Sequence, residues 1–476
     1  MKKYLNHKVF RNFSYLTIGS VVSQLLMLVT VLRITKILLP DDYGLYTFMI
    51  SQGTLLYALS DLGIKTTTIR AIARNPTSTR NYALNGAIMR LLSLVFFFLI
   101  YAIYNNLLGS FSTFQLFLIV IYGLIYSFFH LLEYIFLGNQ RMLYPSLVKI
   151  IHSGLWFIII FLMPENLFSA NFLMIAFLLI SGVKTLFLYN RLKNLHLLIG
   201  TRGPFLSNAK MMLSESWPYI TMMLFNLPFA YFSNNFLDVN STTEEIGFFN
   251  LATKLMGPVQ IIISFSLTAL FPNISQLFVR DKASFLKYVS TGVPAFVFMI
   301  GFFSFIFSFF SKEGIQLLFT EDYLPAIPVT QLQIWFVFFH GINHLITIIF
   351  GAADLEKKIF NLSLVNFLIA TPMLYVGSFY GALGISYGYV ISFAIFQIYI
   401  WWQLKKSLSL HFPYERMLWL IVLMLFAISY ILVNHFNLWE KLILSFILCV
   451  AMGILFYKNA GKIFPKRIKE VSRSAD

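Results

Sequence analysis

The chain has 476 residues, 58% of them hydrophobic and 11% charged, with a formal net charge of +16. A soluble domain carries about 25% charged residues, so this composition excludes a water-soluble globular protein. The basic residues are spread over eight short segments rather than gathered in one patch, which argues against nucleic acid as the partner of the charge.

Crossing hydrocarbon takes about 20 apolar residues per helix. Stretches of that kind predict helices at 12–33, 43–64, 84–104, 113–137, 143–163, 170–190, 211–236, 246–270, 286–310, 325–350, 359–377, 381–403, 416–434 and 438–457. With the first residue inside, the segments on the cytoplasmic side and their helix edges hold 27 of the 35 lysines and arginines. The opposite side holds only Arg33, Lys36, Lys312 and Lys441. This bias predicts an all-α, polytopic membrane protein of about 14 transmembrane helices with both termini cytoplasmic. The same charge favours anionic headgroups of the lipid bilayer. The single cysteine, Cys449, allows neither a disulfide within the chain nor a thiolate metal site. The first apolar run is too long for a cleaved signal peptide.

All connections are short, so the function is expected to reside in the helices themselves. An internal repeat is visible. Asp41-Asp42-Tyr43-Gly44-Leu45-Tyr46 is matched 203 residues later by Glu244-Glu245-Ile246-Gly247-Phe248-Phe249. Both segments open a helix on the outer side, where acidic residues complement the helix N-terminus. The helix pattern shifts onto itself at the same spacing. Two six-helix lobes are expected, 1–200 and 201–410, related by a pseudo-two-fold axis along the membrane normal, with a cleft between them as the substrate path. Residues 411–476 are expected to form an appended helix hairpin and a basic cytoplasmic tail.

Leu39-Pro40-Asp41-Asp42-Tyr43-Gly44-Leu45-Tyr46, followed by Asp61-Leu62-Gly63 and Arg70, resembles the opening signature of bacterial polysaccharide-biosynthesis flippases. Ile246-Gly247-Phe248-Phe249-Asn250-Leu251-Ala252-Thr253-Lys254-Leu255 is similar to the matching stretch of their second lobe. These Wzx-like proteins belong to the exporter superfamily that also holds lipid II flippases and MATE drug exporters. The resemblance implies outward movement of an undecaprenyl-pyrophosphate-linked glycan, an O-antigen or capsule repeat unit, across the bacterial cytoplasmic (inner) membrane. It also implies contact with other membrane proteins of polysaccharide assembly, and neither a cofactor nor catalysis.

Four cations break the one-sided charge rule. A cation at the bilayer centre costs about 2.5–3.5 kcal/mol on insertion scales. Arg90, Lys149 and Lys184 each lie six residues from the cytoplasmic end of a predicted span, roughly 9 Å deep at 1.5 Å per residue. All three fall in the first lobe, and their counterparts 203 residues on are Val293, Ala352 and Tyr387. Lys254 lies roughly 12 Å from the outer face, a strained distance for snorkelling. These four are the candidate wall of a cationic cavity for the diphosphate, against a plainer reading as snorkelling or structurally paired side chains. Arg33 guides the exit or merely anchors the interface. Asp61 and Arg70 flank the inner turn after the second span, where an ion pair would gate or brace the loop. His340 and His344 share a helix face, as do His130 and Glu133, and neither pair alone makes a metal site.

The acids at Asp61, Glu133, Glu215 and Asp354 all sit near cytoplasmic ends of spans, with no carboxylate expected near a midplane. This disfavours the main rival, a MATE-type antiporter of cationic drugs, whose pocket needs buried acids. A membrane polysaccharide polymerase or acyltransferase is a second rival, but the short acidic outer loops offer no nucleophile set.

Overall fold

A computed structural model describes residues 2–448 except 202, 413–414 and 432. Arg202, Cys449 and the tail at 458–476 lie outside the described residues. Among those described, every regular element is helical. In chain order the helices are α1 (Lys2–Ile34), α2 (Pro40–Asp61), α3 (Ile64–Arg74), α4 (Thr79–Leu108), α5 (Thr113–Gly138), α6 (Leu143–Leu162), α7 (Ala170–Asn194), α8 (Phe205–Leu227) and α9 (Ser233–Asn240). They continue as α10 (Thr243–Arg280), α11 (Lys282–Phe309), α12 (Ser311–Leu318), α13 (Ala326–Ala352), α14 (Glu356–Ser378), α15 (Gly381–Leu408) and α16 (Glu415–Tyr430). A further helix opens at 438.

Each predicted apolar stretch falls on a helix, except that the last runs beyond the described residues. Ten helices, among the described residues, are long and apolar enough to cross a membrane. α2 and α8 do not reach that measure because polar residues such as Gln52, Thr54 and Asp61, or Ser214, Glu215 and Thr221, interrupt their apolar runs. α8 continues through a π-helical segment, Pro228–Phe232, into α9. The chain is thus an all-helical, multi-pass membrane protein.

Packing divides the chain into two compact units. One comprises 1–261 and 374–385, the other 262–373 and 386–476. α8 packs on α3 and α4, and the first turn of α10 approaches that of α2, so these segments belong to the first unit. In that unit α1 lies along α6, α2 touches both α4 and α5, and α5 packs on α7. In the second unit α11 packs on α13 and α16. Trp335 Nε1 donates to Ser429 Oγ at 3.1 Å there, and Lys441 Nζ meets Glu313 Oε1 at 2.6 Å.

The two copies of the repeated motif meet each other inside the first unit. A Cβ on Gly44 would run into the Thr243 carbonyl oxygen, and one on Gly247 would run into the Pro40 carbonyl oxygen. Only glycine lets two helix N-termini approach backbone to backbone in this way. The contact is anchored at its edge by Glu245, whose Oε2 accepts the Ala382 N–H at 2.6 Å, and by Asn240, whose Nδ2 donates to Ser378 Oγ at 2.9 Å.

Gly44→Ala is therefore expected to force the helices apart and destabilise the fold by about 1–3 kcal/mol, the usual cost of overpacking. Gly154→Ala, where an added Cβ meets nothing within 4 Å, is the control. Thermal unfolding in detergent should show a lowered midpoint for the first variant and an undiminished one for the second; equal midpoints would remove the close-packing argument.

Candidate functional site

The site begins where α2 ends. Leu62 (φ 48°) and Gly63 (φ 63°) are both left-handed, which stops the helix and turns the chain into α3. A Cβ on Gly63 would approach the Ile220 backbone nitrogen of α8 at 2.8 Å, so both the positive φ and the close approach demand glycine. The turn leaves Asp61, the last residue of α2, buried among neighbouring helices.

Arg90 of α4 is its partner. The guanidinium is 1% exposed and bonds the Asp61 carboxylate and the Ser127 carbonyl oxygen, with the Tyr134 ring 5.0 Å away. A buried charge needs this kind of compensation, since an unpaired one is prohibitively costly in low dielectric. Beneath the pair lies an apolar cluster that includes Ile64, Met89, Phe129, Phe136, Leu188 and Met212.

α5 supplies the rest of the wall. Tyr126, Phe129, His130, Glu133 and Tyr134 recur at helical spacing and so share one face. Glu133, 8% exposed at its side chain, is held from two sides. His130 Nδ1 lies 2.7 Å from Oε2, and Lys149 Nζ of α6 lies 2.8 Å from Oε1. The His130 ring stacks on Tyr57 at 4.6 Å, and the Tyr57 hydroxyl meets that of Tyr134 at 2.8 Å. Lys184 of α7 stands over the Phe129 ring at 4.4 Å and the Tyr126 ring at 5.3 Å. It lies in electrostatic reach of Glu133 and Lys149, yet among the described residues it has no ion pair and no hydrogen bond. Cation–π contact replaces part of its hydration.

Three of the sequence candidates, Arg90, Lys149 and Lys184, are thus brought together around α5, joined by Asp61. The expected ion pair between Asp61 and Arg70 is not formed. Asp61 binds Arg90, while Arg70 faces Glu215 of α8 at 3.8 Å on a surface where both side chains are about two-fifths exposed. The left-handed turn is the reason, because it carries Arg70 round to α8. Asp61, the last residue of α2, and Glu133, in the last turns of α5, both stand near helix ends, yet both are buried beside cations. Arg33 pairs with the exposed Glu165 at 2.9 Å, a surface contact worth about 0–1 kcal/mol, and is not part of the cluster.

Lys254 stands apart on α10. It is exposed, with no ion-pair or hydrogen-bond partner among the described residues. One turn further along the same face, Gly257 makes room for the amide of Gln24 from α1. The residues that sequence reasoning undervalued are Tyr57, Tyr126, His130 and Glu133. For the last three the signal was the polar and aromatic stripe at i, i+4 and i+7 along α5, while Tyr57 lies on α2 and is brought in by packing.

Arg90→Ala and Asp61→Ala should each cost about 3–5 kcal/mol, because each strands a buried charge, whereas Lys184→Ala should cost far less. Melting curves of the three purified variants check this; equal losses for all three would overturn the distinction between paired and unpaired cations.

With the geometry in hand, the chain can be set beside known proteins. The model of a family described as polysaccharide biosynthesis protein matches residues 9–278. No curated protein matches the chain. Among solved structures it is similar to the lipid II flippase MurJ in an inward closed conformation, at 15% identity and TM-score 0.74, covering 94% of this chain and 99% of that one. It is also similar to an inward-facing multidrug resistance MATE family transporter of the MOP superfamily, at 15% identity and TM-score 0.62, covering 81% and 95%. A third is a MOP superfamily transporter from Pyrococcus furiosus, at 16% identity and TM-score 0.57, covering 84% and 96%. The binding pocket of that transporter is described as reversed in polarity, which suggests a different function for it. At these identities the likeness establishes a shared fold, and function has to be argued from the site.

Proposed function

The chain belongs to the polysaccharide biosynthesis protein family, and we propose that it is a flippase for an undecaprenyl-pyrophosphate-linked oligosaccharide. The cargo is an O-antigen or capsule repeat unit, moved by alternating access from the cytoplasmic to the outer leaflet of the bacterial inner membrane. About 14 crossings, two six-helix lobes and cytoplasmic termini remain part of this reading, on the strength of the charge bias and the repeat.

The observation that carries it is the uncompensated charge of the cluster. Among the described residues, Arg90, Lys149 and Lys184 face two carboxylates, Asp61 and Glu133, which leaves one positive charge. Arg90 is fixed and inaccessible, so its role is to hold α2, α4 and α5 together. Lys149, one-third exposed, and Lys184, half-buried, can reach a ligand. A diphosphate is the natural one, because a lysine takes it as a point charge with charge-assisted hydrogen bonds. The Tyr57, Tyr126 and His130 rings beside them offer flat faces to sugars. Lys254 adds a second unpaired cation in a predicted span. A bare ammonium facing hydrocarbon is expensive, so its exposed side is assigned to water and to the passing anion. Outward movement of an anion from a negative interior is favoured by about 2.3 kcal/mol per charge per 100 mV, and membrane potential is expected to assist.

The MATE-type reading gains two buried acids from the structure. Both are already engaged by cations, however, and neither is free to hold a cationic drug. The reversed pocket polarity of the Pyrococcus furiosus transporter is a precedent for different cargo on one fold.

The test uses full-length protein in nanodiscs with farnesyl diphosphate as a soluble probe, beside surface glycan display in cells. Lys184→Ala and Lys254→Ala should each weaken probe binding about tenfold, the loss of one charge-assisted contact, and reduce glycan display at normal protein levels. Unchanged binding and display in the double variant would overturn the proposal; ethidium transport without diphosphate binding would favour the drug antiporter.

A further inference from the structure

Resting on that reading, the geometry points to a role for Glu133 that neither the fold nor the charge count requires: it is a resident counter-anion that the diphosphate displaces from Lys149. Glu133 uses its two oxygens separately. Oε1 is on Lys149 at 2.8 Å and Oε2 is on His130 at 2.7 Å. Asp61, by contrast, is locked to a guanidinium that is itself bonded to the Ser127 carbonyl. The two carboxylates therefore differ in how easily they give up their cation.

Accessibility points the same way. The Lys149 side chain is 34% exposed while Glu133 is 8% exposed, so an incoming anion meets the amine and not the carboxylate. An ammonium has three donors, and Glu133 occupies one. A phosphate oxygen can join on the open side of Lys149, with Lys184 as the second contact. Two anions on one amine in low dielectric repel strongly, so the doubly charged ligand displaces the singly charged resident. The departing carboxylate is not stranded, because Oε2 keeps the imidazole of His130, which is held flat against Tyr57. Release runs in reverse: as the diphosphate leaves, Glu133 returns to Lys149, so that amine is not left bare. The resident acid thus sets the affinity low enough for turnover.

A merely structural brace predicts something different. If the Glu133–Lys149 pair only held α5 to α6, neutralising either partner would weaken everything. Displacement predicts opposite signs for the two. Purified full-length protein in nanodiscs is titrated with farnesyl diphosphate and, separately, with inorganic pyrophosphate. Glu133→Gln should bind farnesyl diphosphate about tenfold more tightly while glycan display in cells falls, because release slows. Lys149→Met should bind it about tenfold more weakly. Inorganic pyrophosphate should follow the same order at lower affinity; tightening seen with it alone would mean a small-anion site and overturn the proposal. Weaker or unchanged binding in folded Glu133→Gln overturns it too, with the flippase reading intact. Should Glu133→Gln fail to accumulate, Glu133→Asp decides: its carboxylate draws back from Lys149 by one methylene, so tighter binding supports displacement and weaker binding refutes it. Wild-type protein that binds neither probe sinks the flippase reading together with this one.

Discussion

A charge in hydrocarbon must be compensated or must face water, and the architecture of the first unit follows from that constraint. Asp61 can be buried only because Arg90 reaches it across from α4, and Arg90 only because α5 offers the Ser127 carbonyl and the Tyr134 ring. That contact joins three helices at one point. It also needs the chain to stop after Asp61, which Leu62 and Gly63 achieve in left-handed conformations. A left-handed non-glycine residue costs roughly 1–2 kcal/mol, and the buried ion pair is what over-determines it. The sequence run Asp61-Leu62-Gly63 is therefore one device: acid, turn and close approach to α8.

The same constraint explains why the charges travel as a set. Shifted by 203 residues, Asp61, Arg90, Glu133, Lys149 and Lys184 become Ser264, Val293, Phe336, Ala352 and Tyr387. No member of the set survives in the other copy. One charge of such a set standing alone would be an unpaired buried charge, at several kcal/mol; with all five positions uncharged, none is stranded. Val293 lines an apolar cavity with Val289, Phe296 and Leu345, and Phe336 packs tilted against Tyr389 and edge-on to Phe393. The repeated sequence motif therefore coexists with a marked asymmetry of charge between the two stretches.

The helices were legible in the sequence because a 20-residue apolar run has few alternatives in a membrane. The intramembrane cations were legible for the same reason, as departures from a strong rule. Their partners were not. Arg70 lies nine positions from Asp61 and Arg90 lies 29, so proximity along the chain favoured the wrong arginine. Pairing is decided by which helices adjoin and by the turn at Leu62-Gly63, and neither is written in hydropathy. Glu133 does lie near the end of α5, but its burial between His130 and Lys149 is set by the packing of α6, which hydropathy does not record. The repeated acidic-glycine motif was legible as a pattern, while its meaning, two glycines in mutual contact, required both copies to be seen in space.

Partial neutralisation suits a carrier better than full neutralisation or none. A site with three bare cations would hold a diphosphate too firmly to let it go, since each charge-assisted contact adds about 1.5–3 kcal/mol. A site with equal charges would give an anion no reason to leave the cytoplasm. Here Arg90 holds helices together, Lys149 is shared with Glu133, which steps aside on the proposed reading, and Lys184 rests on aromatic rings that ask for nothing in return. The three cations look alike in sequence and differ only in their neighbours. Their graded availability, from locked to shared to free, is a property of the packing of α2, α4, α5, α6 and α7, and on the proposed reading it is what would let one site both take and release an anion.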